Sequence, residues 1–161
     1  MKPLPKEYAD FRRTFPLSGV SIGYSGISLE SIAGIPAAQN GYGVTPAAAA
    51  TDWKESWIVV GHETSLGDPI FIDVEIEEVP VYSAPHGEET WTPSLIAPSA
   101  GAFFTILGRL ARIAKGRENP VALEKNPISE EEAAQFRAFL SEFFVDEVPV
   151  FWTVMLEPNA E

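Results

Sequence analysis

Three short apolar runs in the middle of the chain constrain its fold more than any other feature. Trp57-Ile58-Val59-Val60-Gly61, Ile70-Phe71-Ile72-Asp73-Val74 and Val79-Pro80-Val81-Tyr82 are rich in β-branched and aromatic side chains, and Gly, Pro and Asp bound them. Their connections are too short for the crossover that parallel neighbours need, so the runs read as an antiparallel meander. Along the second run, Ile70, Ile72, Val74 and Ile76 alternate with Phe71, Asp73, Glu75 and Glu77. Alternation of this kind predicts a strand with one apolar face and one face that turns acidic toward its end.

Helical spacing flanks the meander. Tyr8, Phe11 and Phe15 share one face of a helix that starts at Pro5 and stops at Pro16. Ser99 is an N-cap for a helix over residues 100–115, with Phe103, Ile106, Leu107, Leu110 and Ile113 on one stripe and Gly116 at its end. Ser129 and Glu132 have capping-box spacing. The helix they open carries Phe136, Phe139, Leu140 and Phe143 on its apolar face and is expected to run to Pro149. Residues 150–156 read as a final strand or an apolar tail on the core. Residues 17–50 are broken by glycines; Ser28 is a possible N-cap there, and residues 47–50 form a small-residue tract. Together these patterns predict an α+β fold with a central, mainly antiparallel sheet and flanking helices. The 161 residues make a single domain, 1–161, in which 117–161 is a helix-plus-strand C-terminal extension.

Composition narrows the function classes. The chain has no cysteine, which excludes disulfides, thiolate metal sites and a Cys nucleophile. Its formal net charge is −12, so nucleic acid and anionic membrane are not expected partners. The charge is uneven. Residues 51–100 hold ten acids against Lys54 alone. That stretch is either a solvated face or a docking surface for a basic protein. Arg109, Arg112, Lys115 and Arg117 run the other way and suit the C-terminal half of a helix, whose dipole favours cations. No run of apolar residues is long enough to span a bilayer, and the opening residues lack the apolar core of a targeting signal, so a cytoplasmic protein is expected.

Catalytic patterns are thin. His62 and His86 both stand beside glycine in turn-like sequence, and His62-Glu63-Thr64-Ser65-Leu66 lacks the second histidine of a zinc-binding pair. Gly23-Tyr24-Ser25-Gly26 is one residue short of a nucleophile elbow. No phosphate loop occurs. Trp53, Trp57, Trp91 and Trp152 read as core and turn anchors. No cofactor, no metal and no enzymatic activity are expected; a small hydrolase using His62 or His86 with an acid is the third alternative, behind two binding readings.

The order of the motifs resembles a known family. Leu4-Pro5-Lys6-Glu7-Tyr8-Ala9-Asp10-Phe11 resembles the helix that opens the SUKH superfamily. Trp57-Ile58-Val59-Val60-Gly61, Gly67-Asp68-Pro69-Ile70-Phe71-Ile72-Asp73, Pro80-Val81-Tyr82 with His86-Gly87, and Trp91 with the segment from Ile96 to Phe103 are similar to its successive strand and helix-start motifs. Here Leu17-Ser18-Gly19 stands where the family usually has Asn-Gly. The resemblance covers residues 4–110 and implies a SUKH-like α+β fold. It also implies a non-enzymatic immunity-type protein that binds and neutralises a toxin, often a nuclease. Gly61 and Gly67 would permit turns, Asp68 would close one, and Trp57 and Phe71 would fill the core. A toxin acting on nucleic acid is basic at its substrate groove, so an acidic surface would capture it quickly. The residues expected to do so are Glu63, Asp68, Glu75, Glu77, Glu78, Glu88 and Glu89. A general interaction module with no toxin partner is the alternative.

Overall fold

In the computed structural model, which describes residues 1–43 and 52–157, six strands cross one sheet in the same order as they occur in the chain. They are β1 (Gly19–Ile22), β2 (Ser25–Leu29), β3 (Trp57–Glu63), β4 (Pro69–Asp73), β5 (Val81–Ser83) and β6 (Ser94–Ala97). Every neighbouring pair is antiparallel. The helices are α1 (Lys6–Thr14), α2 (Ile35–Ala38), α3 (Ala100–Ala114), α4 (Pro120–Lys125), α5 (Glu130–Leu140) and α6 (Val150–Thr153). The expected α+β class, with an antiparallel sheet and flanking helices, is the fold observed. No helix among the described residues is long and apolar enough to cross a membrane.

The hairpin of β1 and β2 turns on Gly23 and Tyr24, with Ile22 opposite Ser25. Gly23 has φ 61, the left-handed setting that a tight hairpin reserves for glycine. Ser28, expected as a helix cap, lies inside β2 instead. The cap is Ser31, whose side chain accepts from the Gly34 backbone N–H at the start of a short 3-10 turn. Gly61 also departs from expectation. It sits within β3 opposite Leu29, where a Cβ would run into the Ser28 carbonyl oxygen, so close strand approach rather than a turn demands it.

Both faces of the sheet are covered. Ile22, Ile27, Ile58, Ile72 and Ile96 face α1 and α3, whose Tyr8, Phe103, Leu107 and Leu110 complete the main core. Each such side chain, fully buried, stabilises the fold by ~1.5–3 kcal/mol. On the other face Trp57, Val59 and Phe71 pack under Tyr42, Trp53, Tyr82 and Trp91. Trp53 and Trp57 meet edge to face with centroids 5.1 Å apart, and Trp53 lies 4.8 Å from Phe71. This aromatic layer overturns the expected acidic face of the second run. All of β4 is buried, Asp73 included, and the strand stops there. Asp73 Oδ1 accepts the Glu75 backbone N–H, which turns the chain away and sends Glu75 and Glu77 into the following connection. Val79, at φ 54, closes that connection.

Where β2 ends, β3 would leave polar backbone exposed to the core. Gln39 covers it: Val59 N–H donates to Gln39 Oε1 at 2.8 Å, and Gln39 Nε2 donates to the carbonyls of Val59 and Ile35, each at 2.8 Å. Among the described residues one buried side-chain group is not satisfied. Tyr8 Oη has no hydrogen-bond partner, and burial pushes its hydroxyl well above the usual tyrosine range.

Among the described residues of the C-terminal extension the regular elements are all helical, joined by loops. Ser129 and Glu132 form the expected capping box. However, α5 ends at Leu140, and Pro149 is the N-cap of α6 rather than the stop of α5. Residues 150–156 are α6 and a 3-10 turn, not a strand. Trp152, Met155 and Leu156 recur at helical spacing as the buried positions, a period that an almost wholly apolar run conceals. The connection between α3 and α5 contains α4. Gly116, at φ 80, ends α3 as expected. Two polar clamps hold the extension down. Trp152 Nε1 donates to the Ile96 carbonyl of β6 at 2.7 Å. Arg117, only 6% exposed, donates to the carbonyls of Ile113, Asn126 and Pro127 and to both carboxylate oxygens of Glu132. The small-residue tract at 47–50 lies outside the described residues.

Candidate functional site

Successive connections of a meander alternate between the two ends of its sheet. This geometry divides the seven acids expected to act together. The 64–68 turn and the 84–93 loop lie at the end of the β1–β2 hairpin turn, and they carry Asp68, Glu88 and Glu89, with Glu63 just before them. The 74–80 connection lies at the opposite end, where α3 starts, and carries Glu75, Glu77 and Glu78. The two groups are not one surface.

Their environments differ as well. Glu75, Glu77 and Glu78 are exposed, and Glu75 pairs with Lys2 at 3.4 Å. Glu88 and Glu89 are exposed on their loop. Glu63 is buried and occupied: one oxygen accepts the Ser65 backbone N–H and hydroxyl, the other the Leu66 N–H at 2.8 Å. It organises the 64–68 turn and is not free to meet a partner. Asp68 ties the two loops together. Its Oδ1 accepts the His86 backbone N–H at 3.1 Å and faces His86 Nδ1 at 2.6 Å.

The histidines are placed differently from each other. His86 is the turn histidine expected from its sequence. His62 is not; it lies in β3, opposite Pro69, with Nε2 3.1 Å from the hydroxyl of Tyr42. Burial, and secondarily the negative charge of Asp68, push the Tyr42 hydroxyl up from the ordinary tyrosine value. His62 with Tyr42, and Asp68 with His86, therefore make two hydrogen-bonded pairs, a broken chain of polar groups along the sheet end. The nearby hydroxyls of Ser65 and Ser83 are committed to Glu63 and to the Pro69 carbonyl. Among the described residues no group of three His, Asp or Glu side chains is assembled to hold a metal ion.

Beside this chain the hairpin end opens into a groove of about 640 Å³. One wall is the 63–68 turn with the ends of β5 and β6; the other is the segment 147–155. Leu66, Leu95, Val150 and Val154 line it and are still exposed, which is unusual for apolar side chains of this size. Glu63, Asp68 and Glu147 also line it, and no Lys or Arg does. Among the described residues Glu147 makes no ion pair. Sequence reasoning missed Glu147, Val150 and Val154 because the helix opened by Ser129 was expected to run to Pro149 and residues 150–156 to be a strand or an apolar tail. The available signal was Val150 and Val154 at i and i+4, on the opposite side from Trp152, Met155 and Leu156.

Comparison with family models, with curated proteins and with solved structures returned no significant match.

Proposed function

We propose that this protein is a non-enzymatic, immunity-type binding protein. It neutralises a basic toxin domain, such as a nuclease, by covering the cationic substrate site with an acidic surface. The observation that carries this reading is the pair of acidic loops at the hairpin end. From Glu55 to Gly108 the chain contains no Lys or Arg; Asp68 of the 64–68 turn lines a groove with Glu147, and the 84–93 loop at the same sheet end exposes Glu88 and Glu89. A basic partner gains orientation and speed from such a field. The opposite end offers less, because Lys2 already offsets Glu75.

The test is association kinetics with purified basic nuclease-toxin domains at two salt concentrations. Reversing Glu88 and Glu89 to lysine should slow association about tenfold or more at low salt and much less at high salt. Reversing Glu77 and Glu78 should have the smaller effect. If neither reversal slows association, the charge-capture reading fails.

A further inference from the structure

We propose that the groove at the hairpin end is the seat for an amphipathic, extended segment of the partner. Its central Lys or Arg reaches Asp68 and Glu147, while its flanking apolar side chains lie on Leu66, Leu95, Val150 and Val154. This assignment rests on the binding reading above and gives it a specific point of attachment.

Three observations carry it. First, the groove offers about 640 Å³, room for more than one side chain. Second, its apolar walls stay exposed, with Leu66 at 70% and Val150 at 78%. Leaving them so is unfavourable unless something covers them. Third, the acids in its lining are unopposed by any Lys or Arg. Glu63 is consumed by its own turn and Asp68 Oδ1 by His86, which leaves Asp68 Oδ2 and Glu147 as the acceptors. Long cationic side chains match such a site, since the aliphatic stem lies on apolar surface while the charged head reaches the carboxylates. A second copy of this chain is a poor occupant. It would bring Asp68 and Glu147 against the same carboxylates or against a protein of net charge −12. A neutral apolar ligand would leave the carboxylates desolvated and unpaired.

The probe is the blocked pentapeptide Leu-Ser-Arg-Ser-Leu, whose extended backbone puts the central cation and both leucines on one face, titrated into the full chain and followed by backbone amide NMR. Shifts should concentrate at Leu66, Leu95, Val150 and Val154. The same peptide with norleucine for the arginine should bind at least about tenfold more weakly. Val154→Lys, a change at a half-exposed position, should abolish the site, while Val121→Lys, remote from the groove, should not. Amide shifts gathered instead at the 74–80 connection would overturn the proposal. So would equal binding of the norleucine peptide, or shifts in the free protein that grow with its own concentration. The intact toxin separates the two proposals. Toxin binding that survives Val154→Lys removes the groove assignment and leaves the immunity reading. Peptide seating without toxin binding does the reverse.

Discussion

Replacing Arg117 should unfasten the C-terminal extension, and the effect can be worked from its partners. The guanidinium makes six hydrogen bonds: two to Glu132, two to Asn126, and one each to the carbonyls of Ile113 and Pro127. Arg117→Met keeps the stem and removes every donor. Three carbonyls lose a partner, at ~1 kcal/mol or more each where water does not replace it, so a loss of ~3–4 kcal/mol is expected. Arg117→Lys retains the charge but not the fork and should lose about half as much. The ion pair also predicts a pH signature. Hydrogen bonds from Arg117 and from the Ser129 N–H hold the Glu132 carboxyl down to about 2, against an ordinary 4.5. Taken whole, that depression would be worth ~3 kcal/mol. The Glu132 side chain is 36% exposed, so screening reduces the figure to ~1–2 kcal/mol. A carboxyl lowered by folding stabilises above its unfolded pKa, so this contribution is complete above about pH 5. It disappears as pH falls from 4.5 toward 2. Glu132→Gln keeps a capping-box side chain but cannot ionise. Urea unfolding followed by tryptophan fluorescence, repeated between pH 6 and pH 2, measures both effects. The wild type should lose ~1–2 kcal/mol more than Glu132→Gln across that interval. Parallel pH curves, or a loss under ~1 kcal/mol for Arg117→Met at neutral pH, would refute the reasoning.

Tyr8→Phe should stabilise the fold by ~1 kcal/mol in the same urea assay, because it deletes a buried hydroxyl that has no partner. Gln39→Leu should cost ~2–3 kcal/mol, since it orphans the buried N–H and carbonyl of Val59; hydrogen exchange at the Val59 amide should accelerate in the variant. Gly61→Ala should destabilise by ~2 kcal/mol or more, through the collision of its methyl with the Ser28 carbonyl, and the thermal midpoint should fall accordingly. Ser129→Ala removes the side-chain half of the capping box and should cost ~1 kcal/mol of stability.

What the residues disclosed depended on whether their cause was local. Ser99, Ser129 with Glu132, and Gly116 mark helix ends through chemistry confined to one turn, and each was readable. The β3, β4 and β5 cores were readable because β-branched runs between turn residues leave little else. The β1–β2 hairpin was there to be found, in Gly23-Tyr24 between Val20, Ile22 and Ile27, Leu29, but the surrounding glycines obscured the alternation. The reading of β4 as half exposed failed for a non-local reason: Trp53 and Trp91 arrive from distant segments to cover its second face. Residues 150–156 failed because a wholly apolar run has no visible period. The seven acids were identifiable as a charge excess, yet their division between the two ends follows from strand order. Glu147 lay outside the acidic stretch and entered the groove only through tertiary packing.

The wall of that groove formed by residues 147–155 also sets a clock. The sheet is a chain of sequence neighbours, so its strands can pair in turn as they leave the ribosome. The groove cannot. One side is complete once β6 has formed, but the other waits for some fifty further residues and for Trp152 to dock on the Ile96 carbonyl. A nascent chain holding the whole sheet therefore has acidic loops but no seat. If the groove is where the partner is gripped, the protein acquires its hold only after residues 147–155 have been made, and clipping before Glu147 would leave a sheet that attracts the partner without retaining it.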